Sequence, residues 1–210
     1  VQGTDEGGEE LDVVSTGRIL TAPGDAEARG VAAATLLAIA DAISDDAFRR
    51  LLTVLRAAGA DAANECLLEL GDPEWVLSIE AGYAVHALIA ETRMLEGPVS
   101  FHSFCEKSAA AMLSARQSDR VRRHLFDRVL DGMVSERMAA KDAEDARAGA
   151  ARVLCRAVVR FQREAPDRQW ATLQRGKLRR HLERFRGDAG LTQLLTGLLL
   201  LLFDPEADDE

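Results

Sequence analysis

Two groups of side chains in this sequence have the types and spacing for chemistry, and they point in different directions. In FHSFCEK, residues 101–107, His102 and Cys105 stand three apart and would share a helix face. An imidazole beside a thiol is the start of a nucleophilic pair or of half a zinc site. A zinc ion takes about four ligands, or three with water, usually from closely spaced pairs. The other candidates, His86, His124, His181, Cys66 and Cys155, are scattered singly. A thiolate nucleophile also needs an oxyanion hole and a third group to orient its base, and nothing marks either. There is no His-Glu-x-x-His, no Gly-x-Ser-x-Gly, no Glu-x-x-His pair and no glycine-rich phosphate loop. The expectation is a buried cysteine and a capping or half-buried histidine, a satisfied core histidine at His86, and no catalytic residue, metal or cofactor.

The second group is cationic. RFQREAPDRQWATLQRGKLRRHLERFR, residues 160–186, holds nine basic side chains against three acidic ones, in a chain of net charge −9. Residues 1–100 carry 6 basic and 18 acidic groups, residues 101–187 carry 20 and 11, and residues 188–210 carry none and 6. An overall pI near 5.0 therefore conceals a basic middle between two acidic parts. Over 143–164 the apolar Ala150, Val153, Leu154, Ala157, Val158 and Phe161 recur at steps of three and four. Arg152, Arg156, Arg160 and Arg163 make a row on the other face. Their alkyl stems can lie along the helix, and their guanidinium forks match carboxylate or phosphate oxygens in pairs. The row reads as a docking strip for an acidic partner protein; the plainer alternative is a solvated helix face.

Arg175, Lys177, Arg179 and Arg180 extend this basic region, with Phe161, Trp170 and Phe185 interleaved. That mixture would suit nucleic acid through phosphate neutralisation and base stacking. Two features hold this reading to second place. Trp170, Leu173, Lys177 and Arg180 fall on one face and Leu178, Leu182 and Phe185 on another, so the aromatics read as core anchors. The acidic flanks would also repel a long polyanion unless folded away. A third arrangement is internal, with the N-terminal arm or the tail DPEADDE lying over basic helices of the same or a neighbouring chain. Exposed pairs of that kind contribute only about 0–1 kcal/mol each.

Helices must position all of these groups. Apolar residues make up 47% of 210 and aromatics only 5%, so the core is built mainly from Ala, Leu and Val, which suit close helix packing. No run alternates with period two over strand length. Residues 1–24 read as a flexible acidic arm, 25–203 as a single all-helical domain and 204–210 as an acidic tail. About eight helices are expected in antiparallel succession. Ser44 caps one, Asp72-Pro73 starts another that runs to about Glu96, and Gly97-Pro98 ends it. Others cover about 100–116, 119–140, 143–164, 168–186 and 190–203. Short links between them fit either a HEAT- or armadillo-like helical stack or a compact irregular bundle, and no self-similar repeat chooses between the two.

The stretch LTQLLTGLLLLLF, Leu191 to Phe203, spans only roughly 20 Å as a helix, short of a hydrocarbon core of roughly 30 Å. It reads as a buried terminal helix, with no membrane span. Three unpaired cysteines fit an intracellular reducing compartment, cytoplasm or nucleus. The chain begins at Val1, which leaves import into an organelle open. Taken together, the residues predict a non-catalytic helical scaffold, adaptor or complex subunit. It would dock an acidic protein through Arg152, Arg156, Arg160, Arg163, Arg175, Lys177, Arg179 and Arg180. Nucleic-acid binding through the same arginines is the alternative, and an enzyme centred on His102 and Cys105 the third; self-association stays open.

Overall fold

In the computed structural model of the chain, the residues described are 44–46, 48–49, 53, 83–84, 86–88, 90–114, 117–135, 143–164 and 167–202. Every regular element among them is helical, and none is a strand. Five helices are delimited: α1 (Pro98–Met112), α2 (Asp119–Met133), α3 (Glu144–Glu164), α4 (Arg168–Arg184) and α5 (Ala189–Leu201). Expectations about the N-terminal arm, the start at Asp72-Pro73 and the acidic tail fall outside the described residues. So do the unaccounted helices of the expected eight, and the stack-like arrangement is not established.

The helix ends follow local hydrogen-bonding logic. The Ser44 carbonyl accepts the Phe48 N–H at 2.9 Å, opening a helix where the cap was expected. A helix of the 83–91 region gives way to a turn at 92–95, several residues before the expected end at Glu96. Pro98 then begins α1, two residues earlier than expected. Its missing N–H would have had no helical partner at that position anyway. The Ser118 hydroxyl accepts the Val121 N–H at 3.3 Å and so caps α2. At the start of α4 the Asp167 carboxylate accepts from Trp170 N at 3.0 Å, and at the start of α5 Asp188 accepts from Leu191 N at 2.9 Å. Thr192 Oγ1 donates to the Phe185 carbonyl at 3.0 Å, which closes the short turn from α4 to α5.

The chain divides into two compact units, residues 1–93 with 107–125 and residues 94–106 with 126–210. In the first, Ala84, Leu88, Met112, Val121 and Leu125 are buried, and the buried Arg122 donates from Nε to the Met112 carbonyl at 3.0 Å, satisfying an end carbonyl of α1. In the second, Phe126 of α2, Phe161 of α3 and Trp170 of α4 meet with ring centroids 5.2–6.2 Å apart, two of the three pairs edge to face. Gly132 lies so close to the Phe101 ring that an added Cβ would stand 2.4 Å from it, so this approach requires glycine.

Helix α5 packs against both α3 and α4, burying Leu191, Leu195 and Leu198 at steps of four and three. Its far side is open, with Leu200 69% exposed. The terminal helix is therefore buried along one face only. No helix among the described residues is long and apolar enough to cross a membrane.

Candidate functional site

On α3 the buried face consists of Ala146, Arg147, Ala150, Ala151, Leu154, Ala157, Val158 and Phe161. Small residues bring neighbouring backbones close, and the larger apolar groups seal the far half. The opposite face carries Arg152, Arg156 and Arg163, all exposed and without an ion pair among the described residues. Arg160, expected in the same row, is half-buried and lies 2.6 Å from Glu164 as an ion pair rather than an aligned hydrogen bond. Val159 is 39% exposed and sits between Arg156 and Arg163 along the helix. One residue short of Arg163, Gln162 Nε2 donates to the Leu201 carbonyl at 2.9 Å, which sets the exposed Leu200 and Leu201 beside the row. The result is a strip of three guanidinium groups with apolar side chains in and next to it.

The second basic group does not assemble into one surface. Arg175 is only 7% exposed and donates to Thr172 Oγ1 at 3.1 Å. Lys177 is half-buried, with Nζ 2.8 Å from Asp127 Oδ1, the same oxygen that accepts from Gln174 Nε2 at 2.9 Å. Arg179 and Arg180 are exposed, and Arg180 Nε donates back to the Gly176 carbonyl at 3.3 Å. The buried face of α4 is Trp170, Gln174, Arg175 and Leu178, and Leu173 is turned outward. Of the face that joins Trp170, Leu173, Lys177 and Arg180, Trp170 is buried, Lys177 is half-buried, and Leu173 and Arg180 are exposed. Asp127 on α2 engages Gln174 and Lys177, and this sets the rotation of α4.

His102 and Cys105 share α1 but not a reactive site. His102 is exposed and its Nε2 lies 3.3 Å from Glu106 Oε1. Cys105 is buried; burial first, and then the nearby Glu106 charge, push its thiol up to about 12. A thiolate is strongly disfavoured there. Burial also pushes the Cys155 thiol up. No three His, Cys, Asp or Glu side chains among the described residues cluster as metal ligands. The buried Nε2 of His86, expected to be a satisfied core histidine, has no hydrogen-bond partner among the described residues, and burial lowers the pKa of the ring.

Polar ties invisible in the sequence pattern hold each unit. In the first, His124 Nε2 lies 3.1 Å from the buried Glu91, its ring meets Phe48 edge to face, and the Arg120 guanidinium stacks over Phe48 at 4.4 Å while pairing with Asp45. In the second, Arg147 Nη1 donates to Asp188 Oδ2 at 2.9 Å. The same Asp188 caps α5, and the Leu191 N–H first, with Arg147 next among the favourable contacts, holds its carboxyl below the usual aspartate value. Only contacts between residues 33 and 41 positions apart, respectively, could have signalled these pairs, and composition carries no such signal.

No family model matches this chain, and neither a curated protein nor a solved structure matches it.

Proposed function

We propose that the protein is a non-catalytic interaction subunit that docks an acidic protein segment on α3, through Arg152, Arg156 and Arg163. The observation that carries this reading is the contrast in charge pairing. Arg147, Arg160 and Lys177 each have a carboxylate partner at 2.6–2.9 Å, whereas these three exposed guanidinium groups have none among the described residues. Unpaired guanidinium forks on a rigid helix offer bidentate sites to carboxylates, and they chiefly set encounter rate and orientation. The exposed Val159, Leu200 and Leu201 beside them supply the apolar contact that affinity requires. As scaffold, we read helices in antiparallel succession, joined by short links such as that between α4 and α5.

Nucleic acid remains the competing ligand for the same arginines, and two observations count against it. Trp170 and Phe161 are enclosed in the aromatic trio, which leaves no stacking platform there. Arg175 and Lys177 are occupied within the fold. A photo-cross-linker in place of Val159, introduced into the full chain in its native cell, separates the readings. The expected product is a nuclease-resistant adduct to an acidic segment of another protein, lost when Arg152, Arg156 and Arg163 are all changed to Gln. A nuclease-sensitive adduct, or one indifferent to those changes, contradicts the proposal.

A further inference from the structure

The chain leaves its last described helix beside the docking strip. Gln162 Nε2 donates to the Leu201 carbonyl at 2.9 Å, so the end of α5 is tied to α3 one residue short of Arg163. From there the sequence continues into DPEADDE, residues 204–210, with five acidic side chains and no basic one. Helix α5 has no basic residue in its own last turn, and acidic groups after a helix C-terminus are repelled by its dipole unless cations stand close. Arg163 and Arg156, seven residues apart on one face of α3, are such cations: both are exposed, and neither has an ion pair among the described residues.

The charge of this half of α3 is positive. Arg160 is offset by Glu164, and Asp167 by the neighbouring Arg168. The C-terminal ends of α3 and α5 each add about half a negative charge and the N-terminal end of α4 about half a positive one, so Arg156 and Arg163 leave roughly 1.5 positive charges. Glu144 and Asp145 stand in the first turn of α3, and Glu106 lies 3.3 Å from His102, whose ring packs at Gly149; all three belong to the Arg152 half of the helix. Reach is sufficient. Extended chain covers about 3.3 Å per residue, so the eight residues beyond Leu202 span roughly 26 Å, against roughly 10 Å of helix between Arg163 and Arg156.

We infer that residues 204–210 lie along the last turns of α3 in the same chain and pair their carboxylates with Arg163 and Arg156. The inference rests on the docking strip proposed above and adds its regulation. A short tether holds the tail at a high effective concentration at the strip, so it competes with any acidic segment that arrives from solution. The acidic N-terminal arm, by contrast, joins the described chain only at Ser44 in the first unit, whereas the tail starts at the strip itself. Residues 204–210 present only Pro205 and Ala207 to the exposed Val159 and Leu200, so a partner with larger apolar groups displaces them.

Arg163→Lys keeps the charge and supplies an amine that a water-soluble carbodiimide condenses with a paired carboxylate. In the full chain at 50 mM salt the expected product is an amide between position 163 and the tail within one monomer, located by mass spectrometry and strongly reduced at 300 mM salt. A labelled peptide of alternating Glu and Leu gives the second readout. Neutralising the tail with Asp204→Asn, Glu206→Gln, Asp208→Asn, Asp209→Asn and Glu210→Gln should tighten peptide binding at least three-fold more than the same loss of charge at Asp5, Glu6, Glu9, Glu10 and Asp12 does. A link from position 163 only to Glu164 or to other carboxylates outside the tail, or no link at all, would overturn the inference. So would a covalent dimer joined through the tail, or an equal effect of the two neutralised variants. If no variant binds the peptide, the docking reading fails alone and the cross-link decides this one.

Discussion

On α3 the guanidinium groups of Arg152, Arg156 and Arg163 face solvent with no carboxylate among the described residues, whereas on α4 Arg175 turns inward and Lys177 is held by Asp127. Both helices are rich in arginine, yet the apolar supply beneath them differs. Beyond Arg147 in its first turns, helix α3 fills its buried face with Ala, Leu, Val and Phe, so Arg152, Arg156 and Arg163 stay outside. Helix α4 buries only two apolar residues, Trp170 and Leu178, and Gln174 and Arg175 complete the same face. Where apolar residues fill the buried face, basic residues remain available to a partner. Where they do not, basic residues become part of the packing, and each must find a hydrogen bond inside.

The contrast is broken most forcefully at its apolar anchor. Trp170→Ala removes the side chain shared by Phe126 and Phe161 and should cost about 3–5 kcal/mol in chemical denaturation. A loss under about 1 kcal/mol would mean that α4 is not anchored as described. The tie between α3 and α5 comes next. Asp188→Ala removes the α5 cap and leaves Arg147 unpaired, for about 1–2 kcal/mol, with the partial exposure of Asp188 limiting the ion-pair share.

This tie has a defined pH dependence. The folded-state pKa of Asp188 lies below its ordinary 3.8, so its contribution is fully present above that value and is lost as pH falls through the folded pKa. Acid titration of stability should therefore be shallower below about pH 4 in Asp188→Ala. Identical acid profiles would contradict the assignment.

Two smaller effects sharpen the comparison itself. Arg175→Ala should cost about 1–2 kcal/mol, because it removes buried packing and a hydrogen bond, while Arg179→Ala on the exposed side should stay within about 0.5 kcal/mol. Equal effects would erase the distinction between inward and outward arginines on α4. Changing Arg152, Arg156 and Arg163 to Gln together should also leave stability within about 0.5 kcal/mol, since all three are exposed and none is paired among the described residues. A larger loss would place them among the structural arginines.

The helical class and the amphipathic face of α3 were legible in the sequence because period and burial agree there: Ala150, Leu154, Ala157, Val158 and Phe161 are buried where the spacing places them. Val153, assigned to the same face, is only partly buried. Helix ends were legible to within a few residues where caps such as Ser44 and Ser118 mark them. The rotation of α4 was not legible. Leu173, one turn from the buried Trp170, is 61% exposed, while Gln174 is buried and donates to Asp127, 47 positions before it. Arg160 sits at the right spacing for the strip, but Glu164 one turn on takes its charge. An i,i+4 ion pair of this kind can be read from sequence; the tie between Arg147 and Asp188, 41 positions apart, cannot.

The most direct test of the docking account is fluorescence anisotropy with a labelled peptide of alternating Glu and Leu, against a single-stranded DNA oligonucleotide of equal length and charge. Wild type and the variant with Gln at 152, 156 and 163 would be compared at 50 and 300 mM salt, roughly a halving of the screening length. The account predicts that the wild type prefers the peptide and weakens as salt rises. The variant should bind it at least ten-fold more weakly, with a shallower salt slope. Preference for the oligonucleotide, or equal peptide binding by the two proteins, would contradict the claim that α3 docks an acidic protein.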